Sequence, residues 1–216
     1  MNTNSSAQED LIAIDVLLEP GPRMLAEAAR WNAAMREQIP EGFSLDEAHA
    51  PHITLVQQFI TRSDLSPMLA ALEDVRARFD VAVLQLTATG LHHVAIAGIG
   101  LAGIVVQSSE PLLGLQGRVI EGVGRFARTG GGEGAFVSDP SGMPFDPRLF
   151  AFVETYVQRR SGEHFNPHLT VGMAPLDWLE DQEAKPFDRF NFDIIRIAAY
   201  QLGNFGTASR RLDRDC

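Results

Sequence analysis

Cysteine is almost absent from this chain: the only one is the last of its 216 residues, Cys216. A single thiol excludes an internal disulfide framework and a cysteine-rich metal site. Lysine is as scarce, with Lys185 the only one among 18 basic residues, and 28 acidic residues bring the formal net charge to −10. A broad grip on long nucleic acid needs a basic face, so no long duplex is expected as a partner. A local basic pocket remains compatible with this balance, which leaves small nucleotides and RNA ends open. The arginines suit bidentate phosphate contacts, but genomic base composition accounts for the bias more simply. No apolar run approaches the roughly 18 residues of a membrane span, so no membrane partner is expected. The stretch Met1 to Asp10 is polar and has no basic residue, and the apolar run behind it is broken by Asp15. That is not the pattern of a signal peptide. With the lone cysteine, it leads us to expect a cytoplasmic protein. The glycine run from Gly130 to Gly134 has no Gly-Lys-Ser/Thr after it, so it reads as a flexible loop rather than a P-loop.

What is present is the composition of an ordinary globular chain, 45% hydrophobic and 21% charged. A disordered tail is expected over residues 1–10 and one domain over residues 11–216. Leu11–Leu18 reads as a mostly buried strand. A helix follows Pro20-Gly21-Pro22, with Leu25, Ala28, Trp31, Met35 and Ile39 at helical spacing. Pro51–Ile60 reads as a strand, Ser66-Pro67 opens a helix, and residues 81–87 read as another strand. Residues 92–97 and 101–107 form a hairpin. Ser109-Glu110-Pro111 opens a further helix, and a turn-rich loop spans residues 130–146. Asp146-Pro147 starts a helix, Asn166–Gly172 is a short strand, and a brief helix over 177–183 precedes two closing strands. The order mixes hairpins with strand–helix units, which is α+β rather than a doubly wound parallel sheet.

Two segments match when the chain is compared with itself. They are Pro51-His52-Ile53-Thr54-Leu55 and Pro167-His168-Leu169-Thr170-Val171. Each follows a helix and a polar loop, and each precedes a shorter helix. Side chains alternate faces along a strand, so His52 and Thr54 share one face, as do His168 and Thr170. The aliphatic residues occupy the other face and can enter a core. If two lobes face one another across a pseudo-twofold axis, two histidines and two threonines converge on one cleft. An imidazole titrates near neutrality, so one ring can be a base while the other is an acid. Threonine hydroxyls can donate to non-bridging phosphate oxygens. No metal or other cofactor is required by such a set.

The two His-x-Thr units resemble the signature of the 2H phosphoesterase superfamily, which includes the 2'-5' RNA ligase-like proteins and cyclic phosphodiesterases. The resemblance implies a bilobal α+β fold with pseudo-twofold symmetry. Two small, mainly antiparallel sheets would face a central cleft, with helices outside. It implies a metal-independent enzyme acting on a 2',3'-cyclic phosphate or a 2'-5' linkage in a small nucleotide or RNA end; separately, a monomer is expected. His52 would be the acid and His168 the base, with Thr54 and Thr170 as phosphate holders. The sequence departs from some ligase-like members at Gly172-Met173-Ala174, where those carry an arginine.

Two rival functions remain open on the residues alone. One is a module that binds a nucleotide without turnover. The other is a zinc hydrolase built from His49, His52, His164 and His168, which leaves the threonine repeat unexplained. His49 and His164 are expected at the cleft rim, and His92 and His93 as exposed or structural residues. Phe165, Tyr156, Trp31 and Phe59 could stack on a base, but core packing is the plainer expectation for each. Arg62 is expected to be solvated.

Overall fold

The computed structural model describes residues 10–96, 98–138 and 144–213. Residues 1–9 of the expected tail, Cys216 and the middle of the 130–146 loop lie outside the described residues. In chain order the elements are β1 (Leu11–Pro20), α1 (Pro22–Gln38), β2 (Ile53–Thr61), α2 (Leu65–Ala77), β3 (Leu86–Ile96), β4 (Ile99–Val106), α3 (Glu110–Val123), α4 (Pro147–Glu154), α5 (Tyr156–Arg159), β5 (His168–Pro175), α6 (Leu176–Glu183), β6 (Phe190–Phe192), β7 (Ile194–Leu202) and β8 (Ala208–Arg211). Among the described residues no helix is long and apolar enough to cross a membrane.

The strands form two four-stranded sheets, ordered β2-β1-β7-β8 and β5-β4-β3-β6. All pairings are antiparallel. The fold is therefore α+β with the expected internal symmetry. In the first half, β1 and β2 pair and the next long strand, β3, joins β4 of the other sheet. In the second half, β4 and β5 pair and β7 returns to β1. Each half thus gives its third long strand to the sheet of the other. The motif strands β2 and β5 are the edges of their sheets and approach one another.

The same exchange holds for the helices. Helix α1, between β1 and β2, packs on β5. Helix α3, between β4 and β5, packs on β2. Their inner faces are Met24, Ala28, Trp31, Asn32 and Met35 on α1 and Leu112, Leu115, Gln116, Val119 and Val123 on α3. The periodic apolar pattern drives both, although on α1 Met24 is buried while Leu25 is 38% exposed. Ser109 caps α3, its Oγ accepting from the Leu112 N–H. The main core takes Ile12, Ile14, Val16 and Leu18 from β1, Ile53 and Leu55 from β2, and Leu169 and Val171 from β5. Burial of each large aliphatic side chain is worth about 1.5–3 kcal/mol.

One strand assignment is corrected. Val81–Val83 is a 3₁₀ turn, and β3 begins only at Leu86. Asp80 decides this locally, because its side chain accepts from the Ala82 N–H and closes the turn. Strand β3 then runs unbroken into the hairpin, where Gly98 takes a φ of 85° that other residues avoid.

Candidate active site

His52 is the last residue before β2, and His168 is the first residue of β5. Each ring makes the same backbone bond. His52 Nδ1 donates to the Ala50 carbonyl at 2.7 Å, and His168 Nδ1 donates to the Asn166 carbonyl at 2.9 Å. Both acceptors lie two residues upstream, across Pro51 and Pro167. A proline has its own φ locked and keeps its predecessor extended, so the loop takes the same shape twice. A carbonyl can only accept, so the bond puts the proton of each neutral ring on Nδ1. Nε2 is then the nitrogen left for chemistry.

The symmetry extends past the histidines. Each motif strand carries a β-bulge three residues after its histidine, at Leu55 opposite Val16 and Leu17 and at Val171 opposite Ala102 and Gly103. A bulge takes its residue out of the ladder. In both strands a side-chain amide from the other half's helix bonds the bulged carbonyl. Gln116 Nε2 donates to Leu55 O at 3.1 Å, and Asn32 Nδ2 donates to Val171 O at 2.8 Å. Each amide also holds the loop that leads to the motif of its own half. Asn32 bonds Phe43 O and Leu45 N, and Gln116 bonds Arg160 O and Gly162 N. Gly172 follows the second bulge, and a Cβ there would meet Met35 Sδ at 3.0 Å and Asn32 Nδ2 at 3.3 Å. Close approach of α1 favours glycine at this position.

The two threonines differ in their surroundings. Thr54 Oγ1 donates to Asp15 Oδ2 at 2.7 Å, which also accepts from Gln57 Nε2 at 2.9 Å. Asp15 is fully buried, and His52 Nε2 stands 3.5 Å from the same oxygen. Thr170 Oγ1 has no hydrogen-bond partner among the described residues. The histidines differ too. Burial works to lower the proton affinity of His52, but the hydrogen bond and charge of Asp15, with the Ala50 carbonyl, outweigh it and raise the pKa above the ordinary imidazole value. His168 has no such carboxylate. Burial lowers its pKa, opposed by the Asn166 carbonyl and assisted by the nearby charges of His52, Arg160 and His92.

Those charges bring in Arg160, which sequence reasoning missed, together with Tyr156, buried as expected, and His92, exposed as expected and 3.6 Å from Glu183. Tyr156 is buried and lies in the field of Asp15 and Arg160, burial being the main cause of its strongly raised pKa. Arg160 is exposed, its guanidinium lies over Phe152 at 5.6 Å, and it has no ion pair among the described residues. It follows α5 next to the loop leading to His168, and no motif marks it. His92 reaches the site through the sheet. It pairs in register with Gly103, which pairs with Thr170, so the three share a face. A Cβ on Gly103 would meet His168 Cδ2 at 3.2 Å, so glycine keeps room beside that ring. Asp15 had one sequence signal, a charge inside an otherwise aliphatic buried strand.

The remaining candidates fall outside this group. His49 stacks on Phe43 at 5.4 Å and bonds Asp46, and His164 is exposed beside Glu163. His93 Nδ1 meets Glu183 at 2.5 Å. Among the described residues no three His, Cys, Asp or Glu side chains gather as a set of metal ligands. Phe59, Phe165 and Trp31 are core residues, and the exposed Arg62 has no side-chain partner among the described residues.

Fold and geometry together define a two-histidine α+β protein built from two strand-exchanged halves. The chain belongs to the 2'-5' RNA ligase superfamily, whose family model matches residues 24–202. It is similar in structure to Usb1 of Kluyveromyces marxianus, with a TM-score of 0.45 at 13% identity, covering 95% of this chain and 99% of that one. A structure of the same protein with uridine monophosphate aligns with a TM-score of 0.38 at 13% identity, over 82% of this chain and 77% of that one. A search of curated protein sequences found no match.

Proposed function

We propose that the protein is a metal-independent phosphoesterase that cleaves a 2',3'-cyclic phosphate or a 2'-5' phosphodiester in a small nucleotide or RNA end. The observation that carries this reading is the pair His52 and His168. They are anchored alike through Nδ1, the charge of His52 reaches His168, and the two are displaced in opposite directions from the ordinary imidazole pKa. Two like groups pushed apart by their surroundings are the mark of an acid and a base.

Neutral His168 takes a proton from water at Nε2 as the water oxygen bonds to phosphorus. The bond from phosphorus to the ribose oxygen breaks. That oxygen leaves with the Nε2 proton of the His52 imidazolium. Thr170 donates to a non-bridging phosphate oxygen, and Arg160 supplies positive charge at the rim. The product is a phosphomonoester, and the two rings return to their starting states by exchange with solvent.

The test is turnover of 2',3'-cyclic nucleotides and 2'-5'-linked dinucleotides, with and without a chelator, by the parent and by His52→Ala and His168→Ala. Each substitution is expected to cost about 10²–10⁴-fold in kcat, and the chelator nothing. Turnover that survives both substitutions refutes the reading. Loss on chelation would turn it toward a metal hydrolase, and tight binding without product toward a binding module.

A further inference from the structure

A carboxylate is among the costliest side chains to bury, yet Asp15 sits fully buried in a strand whose neighbours Ile14 and Val16 are core residues. The internal symmetry shows what it is for. Asp15 stands opposite Gln57, one pair beyond the Leu55 bulge. At the same step beyond the Val171 bulge stand Leu101 and Met173. The other backbone features are common to the two histidines: the carbonyl two residues upstream, the bulge three residues downstream, and the amide from the opposite helix. The acid and its amide have been exchanged for an apolar pair in the second half only.

We propose that Asp15 is the positioning residue that keeps the proton on His52 rather than on His168, and that it also accepts the hydrogen bond of the Thr54 hydroxyl, leaving Thr170 as the phosphate-holding threonine. The proposal rests on the acid–base reading above, although the pairing of Asp15 with His52 can be tested without substrate. The groups facing this centre are Asp15 from β1, Thr54 and Gln57 from β2, Tyr156 from α5 and His168 from β5. His168 in turn faces Arg160 and His92. Among the described residues Asp15 is the acid that acts on His52, and another acid, Glu183, stands 3.6 Å from His92. A threonine hydroxyl has one proton, and the 2.7 Å bond to Asp15 commits it. Thr54 can then no longer donate to a phosphate oxygen, while the unpartnered Thr170 can.

The experiment follows the ring C–H resonances of His52 and His168 by NMR across pH in the full-length protein, in Asp15→Asn and in Thr54→Val. In the parent His52 is expected to titrate above His168. Asp15→Asn, which keeps the shape and removes the charge, should lower the His52 midpoint by about one pH unit or more. Thr54→Val keeps the carboxylate, so its midpoint should hold or rise, and it serves if the first variant does not fold. An unmoved His52 midpoint in Asp15→Asn, or a fall in Thr54→Val, overturns the pairing. Kinetics on a 2',3'-cyclic nucleotide test the second part. Thr170→Val should lose roughly ten- to hundredfold in kcat and Thr54→Val clearly less. Equal losses overturn the division of labour between the threonines. If no phosphoester is turned over while the His52 midpoint still falls in Asp15→Asn, the pairing stands and the phosphoesterase reading fails.

Discussion

A histidine whose Nδ1 proton is held by a carbonyl two residues upstream has only Nε2 left; in His52 that nitrogen faces Asp15 Oδ2 at 3.5 Å, and in His168 it faces no carboxylate. Their different pKa displacements have two measurable consequences. The first is kinetic. The rising limb of kcat/KM against pH should lie below the ordinary imidazole value, set by His168, and the falling limb above it, set by His52. The second is a linkage effect on stability. His52 binds its proton more tightly folded than unfolded, so its contribution is fully present below about pH 6.5 and is lost as pH rises through the folded value. His168 is displaced the other way, so its contribution is lost as pH falls from about 6.5 through its folded value. Urea midpoints measured between about pH 5 and 9 should therefore lose part of their alkaline decline in His52→Gln and part of their acid decline in His168→Gln. The reverse assignment would contradict the environments described for the two rings.

At the scale of the element, the two bulges are the sensitive points. Each exposes a carbonyl on an edge strand, and each is covered by an amide from the helix of the opposite half. Replacing Asn32 or Gln116 by leucine leaves that carbonyl buried without its partner, at a cost of about 1–3 kcal/mol each. Denaturant midpoints should fall accordingly, and the loops over Phe43–Leu45 and Arg160–Gly162 should lose amide-exchange protection with them. Gly172→Ala should cost about 1–3 kcal/mol as well, because the new methyl group meets Met35 and Asn32. A neutral Gly172→Ala would mean that α1 stands further from β5 than it does here. The helices were readable from their apolar spacing and caps. The bulges were not, because a bulge has no residue type of its own here: Leu55 and Val171 look like any other aliphatic strand positions. The Val81–Val83 turn was misread for a related reason, since valines favour strands on average while one aspartate side chain decided the local outcome.

For the whole molecule, strand exchange makes the halves interdependent. Strand β3 belongs to the first half in sequence and to the second sheet in space, and β7 does the converse. Neither half can complete a sheet alone. Trp31 reports on α1 and Trp178 on α6, one in each half. Single-tryptophan variants made with Trp31→Phe and Trp178→Phe should unfold at the same denaturant concentration, coincident with far-ultraviolet circular dichroism. Two separated transitions would show that the halves are independent.

The sequence by itself determined the pair of motifs, the strand face that carries His52, Thr54, His168 and Thr170, the α+β class and most element positions. These follow from local periodicity and from a repeat, both of which are properties of the chain order. Only the tertiary structure shows what surrounds each motif: Asp15 beside His52 and bonded to Thr54, and no carboxylate at His168 or hydrogen-bond partner for Thr170 Oγ1 among the described residues. Asp15 lies 37 residues before His52 in a strand of its own, and Arg160 and His92 reach the site from a helix end and a neighbouring strand. Charge and hydrogen bonding act through space, so their effect on two matching motifs depends on which strands pair in which register. The repeat in the sequence says the two histidines are alike; the register that places Asp15 beside one and Leu101 at the matching place in the other half is what makes them different.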